Sequence, residues 1–219
     1  MLDTANVYEH FNFKKSNVMN CFICVVNCNF EIVLYISNQF NVFIMTKQDI
    51  EHILQNKHHE LFEWLNKQSD DSWIQGPNDK WTVGQHVLHL LNAMQLLNKA
   101  LGYPKFLLKY KFGKSNRPSR SYDAIVNRYQ EKLALNQEKA QAFNERLRIP
   151  TSSERKKILL QLQLQNQKLQ GRVHHWKNKE LDRVLVPHPL MGRMTVREII
   201  MWTAHHTDHH TSLLKVLYS

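Results

Sequence analysis

The sequence predicts an all-α protein, and three features carry that reading. Capping boxes of the form Thr-x-x-Glu/Gln occur at Thr82–Gln85, Thr151–Glu154 and Thr195–Glu198, and each can satisfy the free backbone N–H groups of a helix start. The segments that follow set apolar residues three and four apart, which draws one apolar stripe along a helix. Beyond Met45 no stretch alternates apolar and polar residues over a length useful for a strand. With 219 residues, 42% of them hydrophobic, and only 6 Gly and 6 Pro, the chain suits one core of ordinary domain size and excludes solenoid or collagen-like architectures.

The first helix is predicted from about Gln48 to Gln68, with Ile50, Ile53, Leu54, Leu61 and Trp64 as contacts and Ser69-Asp70-Asp71 as its end. A loop through Gly76-Pro77-Asn78-Asp79 leads to Trp81 and the Thr82 box. The helix it opens carries Val83, Val87, Leu90, Met94, Leu97 and Leu101 in a 4-3-4-3-4 spacing before Gly102 and Pro104 stop it. Lys105 to Arg120 is basic and broken by Gly and Pro, so it reads as a connection that covers a site or a dimer surface. Helical patterning resumes from Tyr122 to about Phe143, and again behind the Thr151 box to about Lys177, with Leu159, Leu162, Leu169 and Val173 as the stripe. Pro187-His188-Pro189 and Gly192 break the chain, and the Thr195 box opens a last helix to about Leu217.

Residues 45–219 are read as the domain. Residues 1–44 are read as an extension upstream of it, because Met45 stands directly before Thr46-Lys47-Gln48-Asp49, where the first amphipathic helix begins. Cys21, Cys24 and Cys28 all lie in that extension, so the rest of the chain forms no internal disulfide and suits a reducing compartment, the cytoplasm. Their C-x2-C-x3-C spacing lacks a fourth ligand for a metal or cluster site. The apolar run from Val18 to Met45 is interrupted by Asn20, Asn27, Asn29, Glu31 and Asn41, which leaves no clean membrane span of about 18 residues, and no signal-peptide cleavage context follows it.

Of the 13 histidines, those of the last helix matter most. Val196, Ile199, Thr203, His206, His210, Leu213 and Leu217 are spaced 3, 4, 3, 4, 3 and 4, so they share one seam and turn His206 and His210 inward. Imidazoles four residues apart lie one turn apart, about 6 Å along the axis, and can converge on one ion. Two neutral imidazoles in an apolar seam compete for few acceptors unless a cation or water lies between them. A third donor is expected from the helix after Trp81, which offers His86 nearer the apolar stripe and His89 at its flank. Periodicity leaves that choice open. His205 and His209 fall beside the seam of the last helix, and His58-His59 reads as an exposed pair. His174-His175, near the end of their helix, suit its dipole. Trp81 and Trp202 read as packing residues beside the histidine helices.

Trp81-Thr82-Val83-Gly84-Gln85-His86-Val87-Leu88-His89-Leu90, with His206-Thr207-Asp208-His209-His210 far downstream, resembles the DinB/YfiT-like family of metalloenzymes over residues 45–219. The resemblance implies a four-helix bundle in up-down-down-up order with an additional connecting helix, often as a homodimer. It also implies a metal held by His89, His206 and His210. Relatives in that family include thiol S-transferases that use low-molecular-weight thiols and a mycothiol-dependent isomerase. Many members carry Gln three residues after the final ligand histidine; Leu213 stands there in this chain.

Three neutral imidazoles leave a divalent ion its full charge and an open position, the arrangement of catalytic zinc, with nickel, iron or manganese as other candidates. Such a site suits a small-molecule substrate, through thiol S-transferase chemistry with a low-molecular-weight thiol as cosubstrate or through hydrolysis. The alternative is a bundle that binds metal without catalysis, or a metal-free dimeric bundle. His86, His205, Asp208 and His209 are candidates to orient ligands or move protons. The formal charge of +10 attracts anionic ligands. Lys105, Lys109, Lys111, Lys114, Arg117 and Arg120 nevertheless read as a solvated basic loop, since no helix-turn-helix, zinc-finger or aromatic RNA-binding pattern accompanies them. Neither a nucleic-acid nor a membrane partner is expected.

Overall fold

The computed structural model describes residues 45–138 and 147–218. The expectations for Cys21, Cys24, Cys28 and the upstream extension lie outside these residues, whereas the helix predicted from Tyr122 to about Phe143 ends within them, at Ala134 with Leu135 as its cap. Among the described residues are eight α-helices and one small hairpin: α1 (Lys47–Leu65), α2 (Asp70–Ile74), α3 (Val83–Leu101), α4 (Lys105–Phe112), α5 (Tyr122–Ala134), α6 (Arg155–His175), α7 (Asn178–Arg183), β1 (Leu185–His188), β2 (Gly192–Thr195) and α8 (Val196–Leu217). The domain is all-α, as the periodicity predicts. No helix among these residues is long and apolar enough to cross a membrane.

The caps form as read. Gln85 N–H donates to Thr82 Oγ1 while Thr82 N–H donates to the Gln85 side chain, both at 3.0 Å. Thr195 and Glu198 exchange the equivalent pair at 3.1 and 3.2 Å. Thr46 adds a fourth box with Asp49 at the start of α1. The third predicted box, at Thr151, closes a short 3-10 turn over Ser152–Glu154 from which α6 continues.

The four long helices run up-down-down-up, and the contacts at their ends show it. Arg197, at the start of α8, donates to the carbonyl of Met45 ahead of α1, and Tyr218 at the far end of α8 packs edge-on to Trp64 at the end of α1, so these two are parallel. Lys47 reaches the His174 carbonyl at the end of α6, while Arg155 at its start reaches Leu65 and Gln68, so α1 and α6 are antiparallel. Arg172 near the end of α6 donates to Leu101 at the end of α3, and Asn98 donates to Gln165, which makes α3 and α6 parallel. α1 packs on α8 and α6, and α3 on α6 and α8, which closes the ring. Their inward stripes, including Leu54, Leu61, Val87, Leu90, Met94, Leu162, Leu169 and Ile199, merge in one core.

Four local expectations are corrected. Ser69-Asp70-Asp71 does end α1, but Ser69 also caps α2, a helix of 5 residues too short to show a period. The Lys105–Arg120 connection opens with α4, whose last carbonyls meet a cap at Gly113, where φ is +86° and the missing side chain avoids left-handed strain. Nor is that segment simply solvated. Lys105 pairs with Glu180, and Arg117 and Arg120 both bind the fully buried Glu198, while Lys111 and Lys114 are exposed. The Pro187 region is a two-stranded antiparallel hairpin with Pro187 opposite Arg193, a place where a residue without an N–H is tolerated because each strand has a free edge. His58, finally, is buried and only His59 is exposed, since Ile50, Leu54, His58, Leu61 and Leu65 form the inward stripe of α1 while Ile53 and Trp64 are half-buried.

Candidate metal centre

The Thr82 box sets the start of α3, and His86 and His89 follow three residues apart on one side of it. His206 and His210 lie one turn apart on α8. Around them Thr203, Thr207 and Thr211 each donate a hydroxyl hydrogen bond to the carbonyl four residues back, at 2.8, 3.1 and 2.8 Å, which lets these buried side chains sit in a helix without orphaned polar atoms. Because α3 and α8 are antiparallel neighbours, the first turns of α3 face the later turns of α8, and the histidines of the two helices meet.

His206 Nε2 lies 3.0 Å from His89 Nε2 and 3.1 Å from His210 Nε2. The three donor atoms all fall within 4.8 Å of one another. A tetrahedral ion bonded at 2.0–2.1 Å holds its nitrogens about 3.3 Å apart, and a cluster this close could hold a metal ion. His206 and His210 are buried and His89 is half-buried. Burial lowers the pKa of His89 to about 4 and holds His206 and His210 well below the ordinary imidazole value, with neighbouring rings adding to the effect. At neutral pH all three are uncharged and offer lone pairs.

Aromatic rings wall the cluster. Trp202 stacks on His206 with centroids 4.5 Å apart, and Trp81 lies 5.3 Å from His89 and nearly parallel to His210 at 6.3 Å. His188, which sequence reasoning passed over, packs edge-on to Trp202 at 4.2 Å while its Nδ1 accepts from the N–H groups of Leu190 and Met191. The hairpin thus braces Trp202 and, through it, His206. No local pattern announces this contact, since it depends on how the hairpin folds onto α8.

The other predicted residues are placed differently. His86 sits below His210, with Nδ1 to Nδ1 at 2.9 Å. His205 packs edge-on to Tyr122 and Tyr129 on the flank facing α5, with its Nε2 buried and without a hydrogen-bond partner among the described residues. His209 packs against Tyr129 and, like its neighbours, is driven down by burial, to about 4. Asp208 pairs with Lys57 of α1 at 3.0 Å. None of these joins the three converging Nε2 atoms. A shallow cleft of about 460 Å³, whose lining includes Asn98, Lys99, Tyr103, Gln165, Lys168 and Arg172, lies toward the other end of α3 and takes no part in the cluster.

Searches of curated proteins and of solved structures return no match. A family model described as the DinB superfamily matches residues 53–214, a span that runs from α1 through both histidine helices. With that match covering most of the chain and ending beyond His210, the protein belongs to the DinB superfamily.

Proposed function

We propose that this chain is a metal-dependent enzyme in which His89, His206 and His210 hold one divalent ion, zinc first and nickel, iron or manganese as alternatives, and that it acts on a small molecule by thiol transfer or hydrolysis. The observation that supports this most directly is the convergence of three uncharged Nε2 atoms with their nearest separations at 3.0 and 3.1 Å. Held by three neutral donors, a divalent ion would keep its full charge and would supply the acidity that makes a thiol or water nucleophilic at neutral pH. The chain's own residues supply the rest. The buried α8 pair supplies two donors, half-buried His89 the third, and the rings of Trp81 and Trp202 flank them. A low-molecular-weight thiol cosubstrate, a homodimer and a cytoplasmic setting belong to the same reading.

Elemental analysis of the full chain, purified without chelator or tag-borne metal, tests the proposal against the His206→Ala/His210→Ala double variant. About one equivalent of a transition metal in the parent and none in the variant, with helical content by circular dichroism retained, is the expected result. A parent that stays metal-free after reconstitution with zinc overturns it, and a variant that unfolds assigns the ion a structural role instead.

A further inference from the structure

We infer that His86 is a positioning residue: its Nδ1 accepts a hydrogen bond from Nδ1–H of His210 and so holds His210 in the tautomer whose Nε2 lone pair is free for an ion. The inference rests on the reading of the three histidines as a metal site. The two Nδ1 atoms are 2.9 Å apart, while the other nitrogen of His210 is 3.1 Å from His206 Nε2. A neutral imidazole carries one proton, so a ring that gives Nε2 to a cation must keep its proton on Nδ1 and needs an acceptor there. His86 Nδ1 is in place to be that acceptor.

The surroundings of His86 sharpen the argument. The ring is buried, and its remaining nitrogen, Nε2, has no hydrogen-bond partner among the described residues. An apolar side chain at this position would join the core stripe without an orphaned polar atom, so the imidazole carries a desolvation cost, and its hydrogen-bond return among the described residues is the contact with His210. Trp81 holds the pair in register, edge-on to His86 at 5.3 Å and parallel to His210. Ligand histidines commonly donate to a carboxylate, which adds negative charge beside the ion. A neutral imidazole in that place orients the ligand and leaves the charge of the ion undiminished.

The test uses the full chain in three forms: parent, His86→Leu, which has no acceptor, and His86→Gln, whose side-chain carbonyl can accept. Zinc affinity is read by competition with a chromophoric chelator. The expected result is a loss of about 10- to 100-fold in His86→Leu and recovery to within a few-fold of the parent in His86→Gln. Nitrogen NMR of zinc-loaded parent labelled at histidine is expected to find the proton of His210 on Nδ1 and that of His86 on Nε2; this needs no variant and stands even where His86→Leu fails to fold. Zinc affinity unchanged in His86→Leu, or His210 protonated on Nε2 in the loaded protein, overturns this inference alone. A parent that binds no zinc overturns the metal reading and this inference with it.

Discussion

Replacing Glu198 with glutamine removes the charge that ties the basic connection to the start of the helix bearing His206 and His210. The carboxylate is fully buried, and Arg117 reaches it through two nitrogens, at 2.5 and 3.0 Å. It also accepts from the N–H of Arg120 at 2.8 Å, from the Arg120 guanidinium at 3.2 Å and from Thr195 N–H at 3.1 Å. Burial pushes its pKa up, but Arg117 and the backbone donors outweigh burial and hold it below the usual carboxylate value. Glutamine keeps one acceptor oxygen and turns the other into a donor. In either amide orientation, donors aimed at the replaced oxygen then meet a donor. Breaking a buried ion pair costs about 3–5 kcal/mol, and hydrogen bonds to charged groups are worth about 1.5–3 kcal/mol each. The arginine side chains are 34% and 31% exposed, so water recovers part of that. The expected loss is about 2–4 kcal/mol, or roughly 4–16 °C in Tm for a chain of this size. Urea unfolding followed by tryptophan fluorescence and circular dichroism measures it, with the m-value unchanged. Because the folded pKa is depressed, the stabilisation is present above the unfolded value near 4.5 and is lost as pH falls through the folded one, so parent and variant converge in acid. A loss under about 0.5 kcal/mol at pH 7, or a gap that widens below pH 4.5, refutes the reasoning.

Two further substitutions test the packing beneath the histidine helices. A Cβ on Gly84 would lie 2.6 Å from the Trp73 carbonyl oxygen and 2.7 Å from Pro150 Cγ, whereas one on Gly171 meets nothing within 4 Å. Gly171→Ala is expected to stabilise by about 0.5–1 kcal/mol through helix propensity, and Gly84→Ala to destabilise by about 1–2 kcal/mol through overpacking that exceeds the same gain; equal gains at both sites in thermal melts would contradict the geometry. His58 is buried, both ring nitrogens lack hydrogen-bond partners among the described residues, and burial lowers its pKa from 6.5 to about 4. Its unfolded form takes up a proton below pH 6.5 while the folded form resists, so stability is complete above that pH and falls as acid is added. His58→Leu is therefore expected to gain about 2 kcal/mol on the parent between pH 7 and pH 5, at 1.36 kcal/mol per pH unit. Urea midpoints that keep the same difference at both pH values would refute it.

Much of the bundle is legible before any contact is known, because an α-helix is a local object. Its hydrogen bonds join residues four apart, its caps lie within three residues, and its buried face repeats every 3.6 residues. Thr82, Thr195 and the apolar spacings behind them place α3 and α8 to within a residue or two. The same locality pairs His206 with His210. Elements too short to show a period, such as α2, α7 and the hairpin, leave no such trace, and the inward turn of His58 goes unnoticed without the full α1 stripe.

The family resemblance points to His89, whereas periodicity sets His86 nearer the apolar stripe and His89 at its flank and leaves the choice between them open. Three residues apart, their side chains differ by about 60° around the helix and 4.5 Å along it, and the rotation of α3 against α8 decides which nitrogen reaches His206 and which reaches the far side of His210. The same holds for Arg117 and Glu198, 81 residues apart in the chain and joined in the structure. The run and inward face of each long helix follow from local hydrogen bonding and spacing, and are therefore written in the chain. Which faces meet is not, because that is set by the packing of distant side chains into one core.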